Sequence, residues 1–475
     1  MLKVCGKFSI FDFFCFNAGK PSVFLHLFSF LLNRAIPATI HLMKITFIYP
    51  NFADIRSWDA MQPLVFGILS TLTPPGIERV LYDERVEKID FEHRTDLVAI
   101  SVQTFTARRA YNIAERFRRR GIPVVMGGFH PTLVPDEAAR YADSLVLGEG
   151  ELIWPVLLED FRQGKLQPVY KATCAWEGKG IVPDRTLFAG KKYSPLIPVQ
   201  FGRGCRHRCS FCSVHSFYGE HVIQRPVEEV VHEIQSIKHS LLFFIDDNLI
   251  TNFVNARRLF EALRPLQKHW ACQVSMELAQ DETTIALMAQ AGCLAVFTGF
   301  ESMNRASLND IRKTQNLRQT DYLKAAALFK KYGIMVTGAF VFGSDNDNES
   351  VFEEALVFAM KAKLCLSHFN PLFPTPGTSL YDKMEKENRL IYPRWWLDDD
   401  YRYGTLQFYP RQLKPADVTE KCFQLRRRFN TWWSIIYRAL DFKANARNPL
   451  HLGIYLLANC LSRKEIYRKQ GLRLG

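Results

Sequence analysis

Phe201–Cys212 reads FGRGCRHRCSFC and places Cys205, Cys209 and Cys212 in a C-x3-C-x2-C spacing, with Phe211 directly before the last cysteine. Three thiolates on one short loop can hold one face of an iron–sulfur cubane, whose four irons ordinarily take four cysteines. Three ligands leave one iron open, and an open coordination position separates a reactive metal site from a closed structural one. Zinc is the competing reading. Zinc loops supply C-x2-C pairs with a second pair elsewhere, whereas the other cysteines lie singly, Cys174, Cys272 and Cys293 among them. His207 or His215 could complete a zinc shell, but a histidine between two ligands is sterically awkward. The spacing favours iron–sulfur.

The chain around this loop alternates strand and helix signals. VQFGRG (199–204), LLFFIDDN (241–248), ACQVSMEL (271–278), CLAVFTGFES (293–302), IMVTGAFVFG (334–343) and LSHFNPLFPTPG (366–377) read as strands. Helical runs lie over 227–239, 283–292, 319–333 and 351–363. Six strands, all but the last followed by a helix, predict a partial (β/α)6 barrel over 197–385, with its active site at the strand C-termini. The cysteine loop, Asp246, Asp247, Asn248, Glu301 and Ser302 all fall at those ends. The acids at 246 and 247 would also suit helix N-capping.

Upstream, 43–165 shows the same alternation. Strands are expected at 44–50, 77–84, 96–104, 122–128 and 144–151, with helices at 107–121 and 135–142. This predicts an α/β fold with a doubly wound parallel sheet. Ligands of such sheets sit at the carboxyl ends of the strands, here the loops 49–61, 103–107, 127–132 and 148–151. No G-x-G-x-x-G and no P-loop lysine supports a nucleotide there. Residues 166–196 are expected to be a connector. Residues 1–42, with FSIFDFFCF and VFLHLFSFLL, suit a signal peptide poorly and leave a short membrane anchor open, and Met43 is expected to be the true start.

The chain has 475 residues and 11 cysteines. Its odd, clustered cysteines argue for a reducing, cytoplasmic setting and against a disulfide framework. The net charge is +13. It concentrates at the C-terminus, where 421–475 carries twelve Lys or Arg against two acids. The region 386–475 is expected to be mostly helical. Its charge suits a peripheral membrane contact, an acidic substrate or simply a solvated face. No RNA-binding module is recognisable, so neither nucleic acid nor a tRNA-modifying activity is expected.

The cysteine loop is similar to the signature of the radical S-adenosylmethionine (radical SAM) superfamily. VVMGGFHPTLVPDEA (124–138) and LVLGEGE (145–151) resemble segments of the cobalamin-binding domain that many of these enzymes carry. The resemblance covers about 43–385. It implies that Cys205, Cys209 and Cys212 hold a 4Fe-4S cluster, whose fourth iron takes S-adenosylmethionine. It implies contacts to that cosubstrate from Phe211, Asp246, Asp247, Asn248, Glu301 and Ser302. Cobalamin would meet Gln103, Thr104, Gly127, Gly128, Gly148, Glu149 and Gly150. The loop after the first strand, NFADIRSWDAMQ (51–62), lacks the D-x-H-x-x-G of some relatives. Cobalamin is therefore expected without a protein histidine ligand, with His130 a packing residue.

The resemblance implies a radical SAM C-methyltransferase that uses methylcobalamin. It is similar to methylases of bacteriochlorophyll side chains and of hopanoids. Oxidative cyclisation, as in anaerobic chlorophyll cyclases, uses the same parts. The expected substrate is large and hydrophobic, a tetrapyrrole first and a polycyclic lipid second. The expected reductant is a ferredoxin or flavodoxin. Trp395–Trp396 and Trp432–Trp433 suit such a substrate as well as they suit a core, and Arg426, Arg427 and Arg428 suit its carboxylates.

Overall fold

The computed structural model describes residues 43–172, 178–318 and 321–475. Residues 1–42, their expected start at Met43 and Cys174 bear on stretches at or outside those limits. Lys44–Gly475 is one compact unit.

Two parallel sheets organise it. The first has β1 (Lys44–Tyr49), β2 (Glu78–Asp83), β3 (Leu97–Ser101), β4 (Val124–Gly127), β5 (Ser144–Leu147) and β6 (Val169–Lys171), in the order β2-β1-β3-β4-β5-β6. The runs ITFI and LVAI are buried on both faces, as a parallel sheet covered by helices requires. The helix Ala107–Arg119 turns Ala110, Tyr111, Ile113, Ala114 and Phe117 inward and its arginines outward. The strand order reverses between β1 and β3, so the crevice lies beyond their C-terminal ends. β6 pairs with β5 inside the stretch read as a connector, and so extends this sheet.

The second sheet begins with β7 (Ile197–Val199). A short antiparallel pair, β8 (Gly202–Arg203) and β9 (Ile223–Gln224), brackets the cysteine loop. The sheet continues through β10 (Leu241–Phe244), β11 (His269–Val274), β12 (Cys293–Glu301), β13 (Met335–Phe342) and β14 (Leu366–Pro371). The order is sequential and every pairing is parallel, β7-β10-β11-β12-β13-β14. This is the expected six-stranded partial barrel. Burial along β12 and β13 alternates with period two. Residues such as Phe300 and Phe340 pack outward on helices, while Phe297, Gly299 and Ala339 face the half-open lumen.

The C-terminal region packs on both sheets. Trp395, Trp396, Tyr401 and Leu474 lie in the core of the first sheet. Val418, Cys422, Leu425 and Phe429 of the helix Pro415–Phe429 lie in the barrel core. That helix runs along β14, with Phe429 edge-on to Phe369 at 5.7 Å between centroids. Two more helices follow, Trp432–Ala439 and Pro449–Lys469. Arg438 is fully buried between them. Its guanidinium donates to the carbonyls of Leu364, Cys365 and Phe429, to Asn459 Oδ1 and to Ser434 Oγ. Trp395 and Trp396 are thus core residues, whereas Trp432 and Trp433 are exposed.

Candidate active site

The chain leaves β8 at Gly204, whose φ is +80°. A Cβ there would overlap the His221 carbonyl, so only glycine lets the loop turn. Cys205 and Cys212 are half-buried and Cys209 is buried. Cys212 precedes the first turn of the helix Ser213–Tyr218. All three thiols line a cavity of about 170 Å³ with Phe211, Asp247, Asn248, Gln273, Ser275, Glu301 and Lys313. Burial, with Cys209 beside them, pushes the Cys205 thiol up and the Cys212 thiol up to about 11.

Among the described residues no three His, Cys, Asp or Glu side chains converge on a single metal ion. A tetrahedral zinc with bonds of about 2.3 Å would need its sulfurs within about 4 Å of one another. A cubane spreads its ligands over separate corners. Three thiols around one cavity fit three corners of such a cluster. Lys313 supplies a buried cation beside them. Burial works against its charge, but the Glu301 carboxylate, 2.8 Å away, and the nearby thiols hold its pKa above the usual lysine value. Gln315 donates to Cys209 Sγ at 3.8 Å, and its buried carbonyl oxygen has no protein partner.

The expected cosubstrate residues divide. Asp247, Asn248, Glu301 and Phe211 line the cavity. Asp247 accepts from Gly204 N at 2.9 Å, which fixes the loop from below. Asn248 Oδ1 accepts from Ser275 N at 3.2 Å. Glu301 ends β12 at φ +62°, where a register shift turns its carboxylate inward. Asp246 points elsewhere. It is buried and accepts from the backbone N–H groups of Phe201 and Gly202, and burial raises its carboxyl to about 7. Neither Asp246 nor Asp247 caps a helix; the next one, Phe253–Leu263, is capped by Asn252. Ser302 is buried, accepts from Asn304 N, and lies off the cavity wall. Lys313, Gln315, Gln273 and Ser275 were not singled out by the sequence.

A second cavity, of about 390 Å³, opens at the C-terminal ends of the first sheet. Gln103, Gly127, Gly128, Gly148, Glu149 and Gly150 line it, facing Gln200, Arg203, Phe217 and Tyr218 from the barrel side. Gly128 has φ +103°, and a Cβ there would stand 3.0 Å from the Val102 carbonyl oxygen. Thr104 is buried beneath, 3.4 Å from His130 Nδ1. His130 itself is enclosed by Tyr111, Glu137 and Trp396, away from the cavity. Arg203 crosses between the sheets to Glu149 at 3.0 Å and Glu151 at 2.6 Å.

Comparison with known proteins matches this arrangement. Residues 199–359 match the radical SAM superfamily, and 72–158 match the B12 binding domain. The bacteriochlorophyllide d C-12(1)-methyltransferase of Chlorobaculum tepidum is 31% identical over 78% of this chain and 83% of its own. The chain belongs to the cobalamin-dependent radical SAM methyltransferases. The C-8(2)-methyltransferase of the same organism is 29% identical over 79% of this chain and 87% of its own. A solved radical SAM methyltransferase, TsrM from Kitasatospora setae, superposes with a TM-score of 0.65 at 16% identity, covering 90% of this chain and 98% of that one. The family's cofactors are those expected from the sequence: a 4Fe-4S cluster, S-adenosylmethionine and cobalamin.

Proposed function

We propose that the substrate is a tetrapyrrole of the bacteriochlorophyllide type, methylated at an unactivated side-chain carbon. The observation that carries this reading is the similarity to two methyltransferases named for different positions of bacteriochlorophyllide d, each matched over more than four-fifths of its length. In this reading Cys205, Cys209 and Cys212 hold the cluster, and Asp247, Asn248, Gln273, Ser275 and Glu301 surround S-adenosylmethionine. Gln103, Gly127, Gly128 and Gly148–Gly150 cradle the corrin. When bound, the cluster supplies the electron that cleaves S-adenosylmethionine and the corrin supplies the methyl group. The chain's own residues position and exclude. Lys313 offsets negative charge beside the thiolates in a site of low dielectric. Asp246 and Asp247 pin the backbone of the cysteine loop. Arg203 ties the corrin cradle to that loop, which keeps the reacting groups in register.

Two partners belong to the same proposal. The reductant is an acidic one-electron carrier of the ferredoxin or flavodoxin class, since Arg206 and Arg208 stand on the surface between the cluster thiols. The C-terminal region rests on a membrane. No helix among the described residues is long and apolar enough to cross one. However, Trp432, Trp433, Ile436, Leu440 and Phe442 are exposed together, beside exposed Lys443 and Arg447. An apolar face edged by cations is the signature of interfacial binding.

The test is direct. Anaerobically reconstituted protein is given bacteriochlorophyllide d, S-adenosylmethionine, cobalamin and a reductant, and the product mass is followed. Gain of a methyl group, lost in Cys209→Ala, is the expected result. Methylation of a hopanoid with no change in any tetrapyrrole would overturn the reading.

A further inference from the structure

His368 sits on β14 with its side chain turned into the barrel lumen, between Ser367 and Phe369, which are buried on the outer face. Its strand neighbour is Ala339, and the neighbour of Ala339 on β12 is Gly299. Two residues with almost no side chain therefore separate the imidazole from the cluster cavity, which both of them line. Phe297, from the same wall, stands 5.6 Å from the imidazole, centroid to centroid, at 49°. The imidazole is exposed on this face of the strand.

Among the described residues neither of its ring nitrogens has a hydrogen-bond partner, so both are open to a ligand. Desolvation, together with the cations of Arg426 and Lys469, lowers its pKa to about 4. Near neutral pH it presents an uncharged ring with a free lone pair, the form that binds metals.

Arg426 supplies the second half. It lies on the helix that runs along β14, half-buried, and donates to Gln470 Oε1 at 2.7 Å and to the Cys422 carbonyl at 3.3 Å. Among the described residues no carboxylate stands within ion-pair distance of it, whereas its neighbour Arg428 pairs with Glu353 and Lys469 pairs with Glu465. A guanidinium removed from water without an acid partner is costly unless an anion arrives.

A lone-pair donor in the lumen and an unpaired cation on the same side match two features of a metallated tetrapyrrole. One is a central metal with an open axial position. The other is a carboxylate on a flexible arm. We propose that His368 is the axial ligand to the central magnesium of the substrate and that Arg426 pairs with its peripheral carboxylate. The proposal rests on the tetrapyrrole reading above. Binding exchanges a water on the metal for an imidazole nitrogen, with no electron transferred and no covalent bond of the ring broken.

The test uses the full chain with its cofactors loaded, titrated with bacteriochlorophyllide d, with the same pigment stripped of its metal, and with its carboxylate methyl ester. The wild type should bind the metallated pigment at least about tenfold more tightly than the metal-free one. Its absorption and resonance Raman bands should report an axial nitrogen. His368→Ala should abolish both the preference and the axial signature, and added imidazole should restore them. Arg426→Gln should weaken the free acid and leave the ester unchanged. Because His368 makes no hydrogen bond, the thermal midpoint of the alanine variant should match the wild type. Equal binding of metallated and metal-free pigment by the wild type, or an unchanged preference in His368→Ala, overturns the axial-ligand role while the tetrapyrrole reading stands. Failure of both pigments to bind overturns that reading, and the ligand role with it.

Discussion

Arg203 and Glu151 form a buried ion pair of 2.6 Å that joins the loop after β5 to the strand entering the cysteine loop. Burial works against the Arg203 charge, but Glu151, and Glu149 beside it, hold its pKa above the usual arginine value. The wall of the larger cavity is thereby tied to the strand that leads into the cysteine loop.

Arg203→Met should remove the cation that Glu151 pairs with across the two sheets. Breaking a buried pair from one side costs about 3–5 kcal/mol. A lowered thermal midpoint and reduced corrin retention after gel filtration are expected. Glu151→Gln combined with Arg203→Met should cost less than the sum of the two single changes.

Gly204→Ala attacks the cysteine loop alone. A left-handed backbone on a residue with a Cβ costs of the order of 1–3 kcal/mol, and the overlap with the His221 carbonyl adds to it. Iron content after reconstitution should fall sharply while corrin binding persists. Full iron loading in the variant would refute the role given to this turn.

Arg438→Leu removes a cation that satisfies carbonyls of Leu364, Cys365 and Phe429 at once. The Leu364 carbonyl loses its donor, and a buried group left unpaired costs about 1–3 kcal/mol, whereas the carbonyls of Cys365 and Phe429 keep Asn459 Nδ2 and Ser434 Oγ. Hydrogen exchange should accelerate across Trp432–Ala439 and Pro449–Lys469 and leave the first sheet unchanged.

Acid stability should depend on Asp345. Partial burial pushes its carboxyl up, but Arg389 and Lys383 together hold it far below the ordinary value. A depressed folded pKa contributes stability that is present above the unfolded value of about 3.9 and is lost as pH falls toward the folded one. Thermal midpoints of the wild type and Asp345→Asn should therefore differ near neutral pH and converge below about pH 3.9.

Membrane contact is tested by Trp433→Ser with Phe442→Ser, at positions 70% and 72% exposed. Cosedimentation with anionic vesicles should drop markedly, with no change in thermal midpoint, because neither side chain is in the core. Equal cosedimentation would show that this face is not the contact.

Much of the frame was legible because parallel strands buried on both faces leave unbroken apolar runs, and the cysteine spacing needs no tertiary context. The limits are equally physical. β6 has three residues and buries only Tyr170, too little for a pattern to register. Asp246 and Asp247 look alike in sequence, yet both accept from backbone N–H groups of the cysteine loop and only Asp247 also lines the cavity. Gln315 lies 106 positions from Cys209, and only the closed fold brings them together. Trp395–Trp396 and Trp432–Trp433 have the same composition and opposite exposures, because one pair ends in the core of the first sheet and the other opens a surface helix.

The helix Pro415–Phe429 covers the open edge of the barrel from outside the barrel's own sequence. The Arg426 side of the wall beside β14 is therefore encoded apart from the cysteine loop, while His368 lies within the barrel's own sequence. Descendants of such a chain can acquire new substrates by remodelling their tails while the cysteine loop and the corrin cradle stay fixed. Selection on specificity and selection on chemistry then act on separate lengths of gene.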